Sequence, residues 1–130
     1  MVEKDSDANR KQSLGKDGED YACDILERKG YKIIERNFRL QVGEIDIIAK
    51  ELNGTVVFVE VKTVGKFSFG GLKPEDNMSV AKMKKFRRIA SLYANARKEM
   101  INENRGYRLD LIALSKVGND FIARHYENVG

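Results

Sequence analysis

Residues 43–62 read GEIDIIAKELNGTVVFVEVK, and this stretch decides the fold. Two runs of mostly apolar residues flank Asn53-Gly54, a dipeptide typical of a tight turn between antiparallel strands. Each run carries charge within it, Asp46 in the first and Glu60 and Lys62 in the second. Because a charge in a buried strand is costly unless it is paired or holds a metal, these positions are the first candidates for a functional site.

Strand geometry decides which of these side chains meet. Successive side chains point to opposite faces of a strand, so Glu60 and Lys62 share a face, about 7 Å apart along the strand. In the first strand, the same alternation predicts that Asp46 points away from Ile45 and Ile47. The hairpin then places Asp46 beside Glu60. Two adjacent carboxylates repel unless a cation or a proton lies between them.

This arrangement indicates a site for a hard divalent cation, Mg²⁺ or Mn²⁺. Asp46 and Glu60 would hold the ion, with the Val61 carbonyl as a third ligand at the strand end. Lys62 would orient or deprotonate the attacking water and stabilise the charge that grows in the transition state. The alternative is an edge hairpin with one solvated face, which would also expose Phe58 on the face of Glu60.

Glu19 is a further candidate ligand, on the first predicted helix. It lies on the side that Ala22 and Leu26 share, where a carboxylate is unexpected if that face is packed. It would bind a second ion or a ligating water. A boundary position at the edge of the apolar stripe fits the spacing equally well.

The remaining patterns predict a mixed α/β domain in the order αβββαββ, with a central sheet flanked by helices. Strands are expected at about 31–40, 44–49, 55–62, 107–114 and 121–126, and a loop at 63–76. One helix is expected at about 14–29. A second helix is expected to begin at Asp76 or Asn77, with a buried stripe formed by Phe86, Ile89, Ala90, Tyr93 and Ala94.

The composition favours a single cytoplasmic domain. Of the 130 residues, 1–13 are expected to be disordered and 14–130 to form the domain. The single cysteine, Cys23, excludes an intramolecular disulfide and fits a reducing compartment. No apolar run approaches the roughly 20 residues that span a bilayer, so no membrane association is expected.

The net charge of +4 permits nucleic-acid binding without requiring it. The candidate phosphate-binding residues are Arg36, Arg39, Lys66, Lys84, Lys85 and Arg88. Basic clusters of this kind also occur as solvated or ion-paired surfaces. Asp110 is expected to pair with Arg108, and the single histidine, His125, lacks the Cys and His partners of a zinc site.

Several short motifs occur in a fixed order between about Gly15 and Leu114. Besides the 43–49 and 56–62 strands they are Gly18-Glu19, Arg36-Asn37-Phe38-Arg39, Phe69-Gly70, Lys84 and Arg108-Leu109-Asp110. On these residues the chain resembles the YraN-like family of uncharacterised bacterial proteins and, more broadly, the PD-(D/E)xK nuclease core.

The resemblance implies a restriction-endonuclease-like fold and catalytic positions at Glu19, Asp46, Glu60 and Lys62. It also implies similarity to Holliday-junction resolvases. Two departures bear on substrate contacts rather than on the metal site. Val64 stands where the family usually has a basic residue, and the loop at residues 70–74 is longer than expected.

Three functions fit the sequence. The first is a metal-dependent endonuclease acting on DNA, branched or otherwise structured, for which a homodimer would suit cleavage of both strands of a junction. The second is a nucleic-acid-binding module of the same fold without turnover, whose DNA binding would be sensitive to salt. The third is a protein-interaction domain in which the carboxylates are structural.

Overall fold

A five-stranded sheet lies between two helices in the computed structural model, which describes residues 7–64 and 78–130. Side chains are described for residues 17–63 and 78–130. The elements, in chain order, are α1 (Asp7–Arg28), β1 (Lys32–Leu40), β2 (Gly43–Lys50), β3 (Val56–Val64), α2 (Val80–Ala96), a short 3₁₀ helix (Lys98–Met100), β4 (Tyr107–Val117) and β5 (Asp120–Tyr126).

The sheet is mixed. Its strand order is β1-β2-β3-β4-β5, and neighbouring strands are antiparallel except for β3 and β4, which run parallel. The parallel pair aligns Val56 with Tyr107, so the chain must cross over between the two strands, and α2 lies in that connection. The predicted α/β class, with the order αβββαββ and a central mixed sheet flanked by helices, is confirmed.

Each face of the sheet packs against one helix. On one face, α1 buries Ala22 and Leu26 against sheet residues such as Val57. On the other face, α2 packs against a cluster that includes Ile48 and Phe58, and its buried residues are those predicted: Phe86, Ile89, Ala90, Tyr93 and Ala94. Burial of one large apolar side chain stabilises a fold by about 1.5–3 kcal/mol, so these two layers fix the positions of both helices.

The turn between β2 and β3 forms as predicted. Gly54 has φ +95°, a conformation that glycine adopts without steric strain. The Thr55 N–H donates to Asn53 Oδ1 at 2.9 Å, and the Glu51 N–H donates to the Thr55 carbonyl at 2.8 Å. These contacts close the hairpin and set the register of its two strands.

The first helix is longer than predicted. It begins at Asp7 rather than near Leu14, because polar residues with good helix propensity extend a helix that packing has already established. Neither this helix nor any other in the described ranges is long and apolar enough to cross a bilayer.

The start of α2 also differs from the prediction. Its N-cap is Ser79, whose hydroxyl accepts a hydrogen bond from the Lys82 N–H at 3.1 Å. The predicted caps, Asp76 and Asn77, lie outside the described residues, as does most of the predicted loop at 63–76. Residues 63 and 64 belong to β3.

The regular alternation predicted for β2 is wrong at one place. Ile45 packs with Ile48 on the α2 face of the sheet, whereas Ile47 packs on the α1 face. The register places Asn37 of β1 opposite Asp46, and Asn37 has φ +53°. Asp46 therefore lies within a continuous strand, at the point where the regular alternation of faces fails.

Candidate active site

Asp46 lies where β2 and β3 separate. The ladder between these strands pairs Ile47 with Val59 and continues from there toward the turn. On the other side of Ile47, Asp46 Oδ2 accepts a hydrogen bond from the Val61 N–H at 2.8 Å. A side-chain oxygen therefore takes the place of a backbone acceptor, which fixes the carboxylate at the fork between the two strands.

The carboxyl group of Asp46 lies in an environment that opposes its ionisation. Burial is the largest cause, and together with the charge of Glu60 it raises the pKa of Asp46 to about 7. Glu19 and Glu44 raise it further, and the hydrogen bond from Val61 only partly opposes them. A bound cation would remove this penalty and favour the carboxylate.

Glu19 reaches the same region from α1. Its side chain is half-buried, and among the described residues its Oε1 is buried without a hydrogen-bond partner. Burial raises the pKa of Glu19, the Arg36 guanidinium opposes that shift, and Glu44, Asp20 and Glu60 add to it. Buried polar atoms are nearly always satisfied, so this oxygen is free, among the described residues, to accept a hydrogen bond or a ligand.

Gly18 allows α1 to approach the end of β3. The position is buried, and a Cβ there would collide with the side chain of Thr63. Because glycine carries only hydrogen, the helix can pack directly over Thr63. This contact brings the neighbouring Glu19 to the strand that carries Glu60.

Glu60 is paired with a residue that the sequence did not assign to the site. Its Oε1 lies 3.0 Å from Lys82 Nζ, and the two side chains are 13% and 48% exposed, respectively. Lys82 lies two residues before Lys84 in the same basic segment of the sequence, and it was not among the candidate residues. Lys82 lies three residues after the N-cap Ser79 and therefore in the first turn of α2. The sequence did not show this, because the start of the helix was predicted at Asp76 or Asn77.

The other residues of the predicted core lie close by on β3. Lys62 is exposed, and its position two residues after Glu60 is the spacing of side chains on one face of a strand. Val61 is half-buried and uses its N–H to hold Asp46. Coordination of a metal by the Val61 carbonyl stays a prediction.

A pocket of about 280 Å³ adjoins Glu60 and is bounded by β2, β3 and α2. Residues that line it include Gly43, Glu44, Glu60, Lys82, Lys85 and Phe86. Its walls therefore combine carboxylates from the sheet with ammonium groups from α2.

A second group of ionisable side chains lies on β4, on β5 and just after β5. Within the described ranges, the group whose ligand atoms all lie within 4.8 Å of one another consists of Asp110, His125 and Glu127. Asp110 is fully buried and accepts hydrogen bonds from Arg108 Nε at 2.9 Å and from His125 Nε2 at 2.7 Å. The predicted pairing of Asp110 with Arg108 is confirmed. Arg108 also pairs with Glu127 at 3.0 Å, so the carboxylates of this group share one guanidinium.

Glu60 raises the pKa of both Asp46 and Glu19, and Glu19 raises that of Asp46. The ligand atoms of these three predicted ligands nevertheless do not all lie within 4.8 Å of one another. The carboxylate of Glu60 is instead held by Lys82.

The predicted basic residues divide into two sets. Arg36 and Arg39 are engaged in ion pairs, with Asp20 at 2.7 Å and with Glu44 at 3.0 Å. Three exposed members lie on α2: Lys84, Lys85 and Arg88. Lys66 lies outside the described residues.

Comparisons with known proteins give related sequences and solved structures. The family model described as "Uncharacterised protein family UPF0102" matches residues 18–114. A UPF0102 protein of Caldicellulosiruptor saccharolyticus is 41% identical over 102 residues, which cover 78% of this chain and 81% of the relative. A UPF0102 protein of Thermodesulfovibrio yellowstonii is 43% identical over 115 residues, covering 88% of this chain and 93% of the relative. A repair endonuclease from Pyrococcus abyssi aligns with a TM-score of 0.41 and 18% identity, over 92% of this chain and 42% of the endonuclease chain.

Proposed function

The chain belongs to the uncharacterised protein family UPF0102, and we propose that it is a divalent-metal-dependent nuclease that hydrolyses phosphodiester bonds in DNA. The family membership agrees with the YraN-like resemblance seen in the sequence. The observation that carries the proposal is the excess of negative charge at the fork of β2 and β3. Asp46 resists ionisation there, and a buried oxygen of Glu19 lacks a partner among the described residues.

These residues fit a hard cation. Carboxylate oxygens are the ligands that Mg²⁺ and Mn²⁺ prefer, and Asp46, Glu60 and Glu19 would supply them, together with the Val61 carbonyl. When bound, the ion would polarise a phosphoryl oxygen and stabilise the negative charge that develops during hydrolysis. It would also satisfy the orphan Oε1 of Glu19.

The chain itself would supply the groups that handle protons and orient the substrate. Lys62 is exposed beside Glu60 and would position the attacking water and assist its deprotonation. The hydrogen bond from the Val61 N–H holds the Asp46 carboxylate in one orientation before metal and substrate bind. This preorganisation removes the need to reorient Asp46 when substrate arrives.

The exposed basic residues of α2 would bind the DNA backbone. Lys84, Lys85 and Arg88 lie on this helix, and Lys85 lines the pocket beside Glu60. Lysine and arginine bind phosphates without regard to base sequence, so recognition here would depend on DNA shape. Branched or otherwise structured DNA is the first substrate to test, and a homodimer would allow both strands of a junction to be cut.

The decisive experiment compares cleavage by four proteins: wild type, Asp46→Asn, Lys62→Ala and the control Asp24→Asn. The substrates are labelled single strands, duplexes, flaps and four-way junctions, each with Mg²⁺ or Mn²⁺. Asp24 is an exposed residue of α1, so its substitution repeats the charge change of Asp46→Asn away from the site. We expect cleavage by the wild type and the control, and its loss in the two site variants.

Cleavage by both site variants at the wild-type rate would refute the assignment. If the wild type binds DNA in a salt-sensitive manner but cuts none of these substrates, the non-catalytic binding module becomes the better description.

A further inference from the structure

We propose that Lys82 acts as a built-in counter-cation for Glu60, and that metal binding displaces its ammonium group so that it can bind a DNA phosphate. This inference rests on the proposed function, because it assigns a role to a residue beside the proposed metal ligands. It begins from one contact, the 3.0 Å ion pair between Lys82 Nζ and Glu60 Oε1.

The surroundings of Glu60 call for a positive charge. Its side chain is only 13% exposed, and it raises the pKa of both Asp46 and Glu19. Three carboxyl groups therefore compete in a partly desolvated region, where like charges destabilise one another. Within the described part of the chain, the cation that pairs with Glu60 is Lys82. A lysine ammonium is a compact point charge and can stand in for a metal ion at one carboxylate.

The structure allows the ammonium group to leave without disturbing the fold. The side chain of Lys82 is 48% exposed and reaches Glu60 through a flexible four-carbon stem. Its backbone is held independently, because the Lys82 N–H donates to the Ser79 hydroxyl at the N-cap of α2. A change of side-chain rotamer can therefore break the ion pair while the helix stays in place.

The released group would stay in the pocket that Glu60 and Lys85 also line. Two ammonium groups on one wall of this pocket form a site for an anionic group, and a DNA phosphate has the matching charge. Metal and DNA binding would then be linked. The ion frees Lys82 for the phosphate, and by reciprocity the phosphate favours the state that accepts the ion.

The test is a Mn²⁺ titration by calorimetry on the full chain without DNA, for wild type, Lys82→Met and Lys85→Met. Methionine keeps the stem and the helix propensity but removes the charge. Lys85→Met is the matched control, because it removes the same charge from the same helix and pocket without breaking the Glu60 ion pair. We expect Lys82→Met to bind Mn²⁺ about fivefold more tightly than wild type, the size of a partly exposed ion pair. The control should stay within about twofold of wild type.

A second measurement follows binding of a labelled duplex by fluorescence anisotropy, with and without Ca²⁺. In wild type, Ca²⁺ should increase DNA affinity more than it does in Lys82→Met. Lys82→Gln serves as a second variant, and thermal melting confirms that each protein is folded.

The outcomes separate the two proposals. Equal Mn²⁺ affinity in wild type and Lys82→Met, or an equal gain in Lys85→Met, would overturn the specific role of Lys82 and leave the metal site intact. If Lys82→Met binds Mn²⁺ and the wild type shows no measurable binding, the proposal is supported, because the Lys82 ammonium group then competes fully with the ion for Glu60. No Mn²⁺ binding by any of the three proteins would overturn the metal site itself, and with it the proposed function.

Discussion

Replacing Asp46 with asparagine should stabilise the metal-free protein, by an amount that grows as the pH rises. The folded protein raises the pKa of this carboxyl group to about 7, mainly through burial and then through the charge of Glu60, whereas its ordinary value is 3.8. The folded state therefore binds the Asp46 proton more tightly than the unfolded chain does. The resulting stability is complete below about pH 4 and is lost as the pH rises through 7.

The size of the effect follows from the same two values. At 1.36 kcal/mol per pKa unit, ionisation of Asp46 in the folded state removes at most about 4 kcal/mol above pH 7. Roughly 2.5 kcal/mol of that loss falls between pH 5 and pH 8. Asparagine does not ionise, and its amide oxygen can still accept the hydrogen bond that the Val61 N–H donates. The free energy of unfolding of Asp46→Asn should therefore exceed that of wild type at pH 8 by more than at pH 5.

The assay is urea denaturation of wild type, Asp46→Asn and Asp24→Asn at both pH values, with EDTA present. Asp24→Asn should follow wild type, because Asp24 is exposed. Addition of Mn²⁺ should reverse the order, since an ion that binds the folded protein stabilises it by an amount that grows with the logarithm of its affinity. A difference between Asp46→Asn and wild type that is the same at pH 5 and pH 8 would refute the argument that an isolated buried charge destabilises the fork.

Three further predictions concern the positions that support the site and the sheet. Arg108→Met should lower the free energy of unfolding by about 3 kcal/mol, because it leaves the fully buried Asp110 carboxylate without the arginine that pairs with it. Urea denaturation measures this free energy, and a loss below about 1 kcal/mol would contradict the prediction. Burial alone would raise the pKa of Asp110, but hydrogen bonds from His125 and Arg108 hold it below 3.8. The contribution of this carboxylate to stability is therefore present at neutral pH and is lost as the pH falls below about 4. Asp110→Asn should therefore show a smaller fall in stability than wild type between pH 4 and pH 2, and parallel curves would argue against the assignment. Gly18→Ala should destabilise the protein by about 1–3 kcal/mol despite the better helix propensity of alanine, because the added Cβ meets the Thr63 side chain. Adding Thr63→Ala should restore part of this loss. If Gly18→Ala alone is more stable than wild type, α1 can shift freely.

The elements of the fold could be predicted because they depend on local pattern. The Asn53-Gly54 turn closed the hairpin as expected, and the apolar spacing of α2 gave its buried stripe correctly. The irregular alternation around Asp46 could not be predicted from β2 alone; it lies beside Asn37 of the neighbouring strand, which has a left-handed conformation. Period-two alternation holds only while both strands stay regular.

The ion pair between Glu60 and Lys82 could not be predicted from the sequence either. It joins β3 to the first turn of α2, and the residues that set their relative position are the buried ones on the α2 face of the sheet. The helix start itself was misplaced, because several residues before Val80 are acceptable N-caps and only the fold selects Ser79. Long-range pairing of this kind depends on packing rather than on spacing.

The parallel pairing of β3 with β4 has a consequence for the order in which the protein can mature during synthesis. Every proposed ligand and Lys62 are translated before residue 65, yet β3 lies inside the sheet only after β4, residues 107–117, has docked beside it. Until then, the apolar residues of β3 form a bare edge that can pair with another chain. A nascent chain that pauses in the connection between β3 and β4 would carry every proposed ligand on an incomplete sheet, and aggregation would be its main hazard.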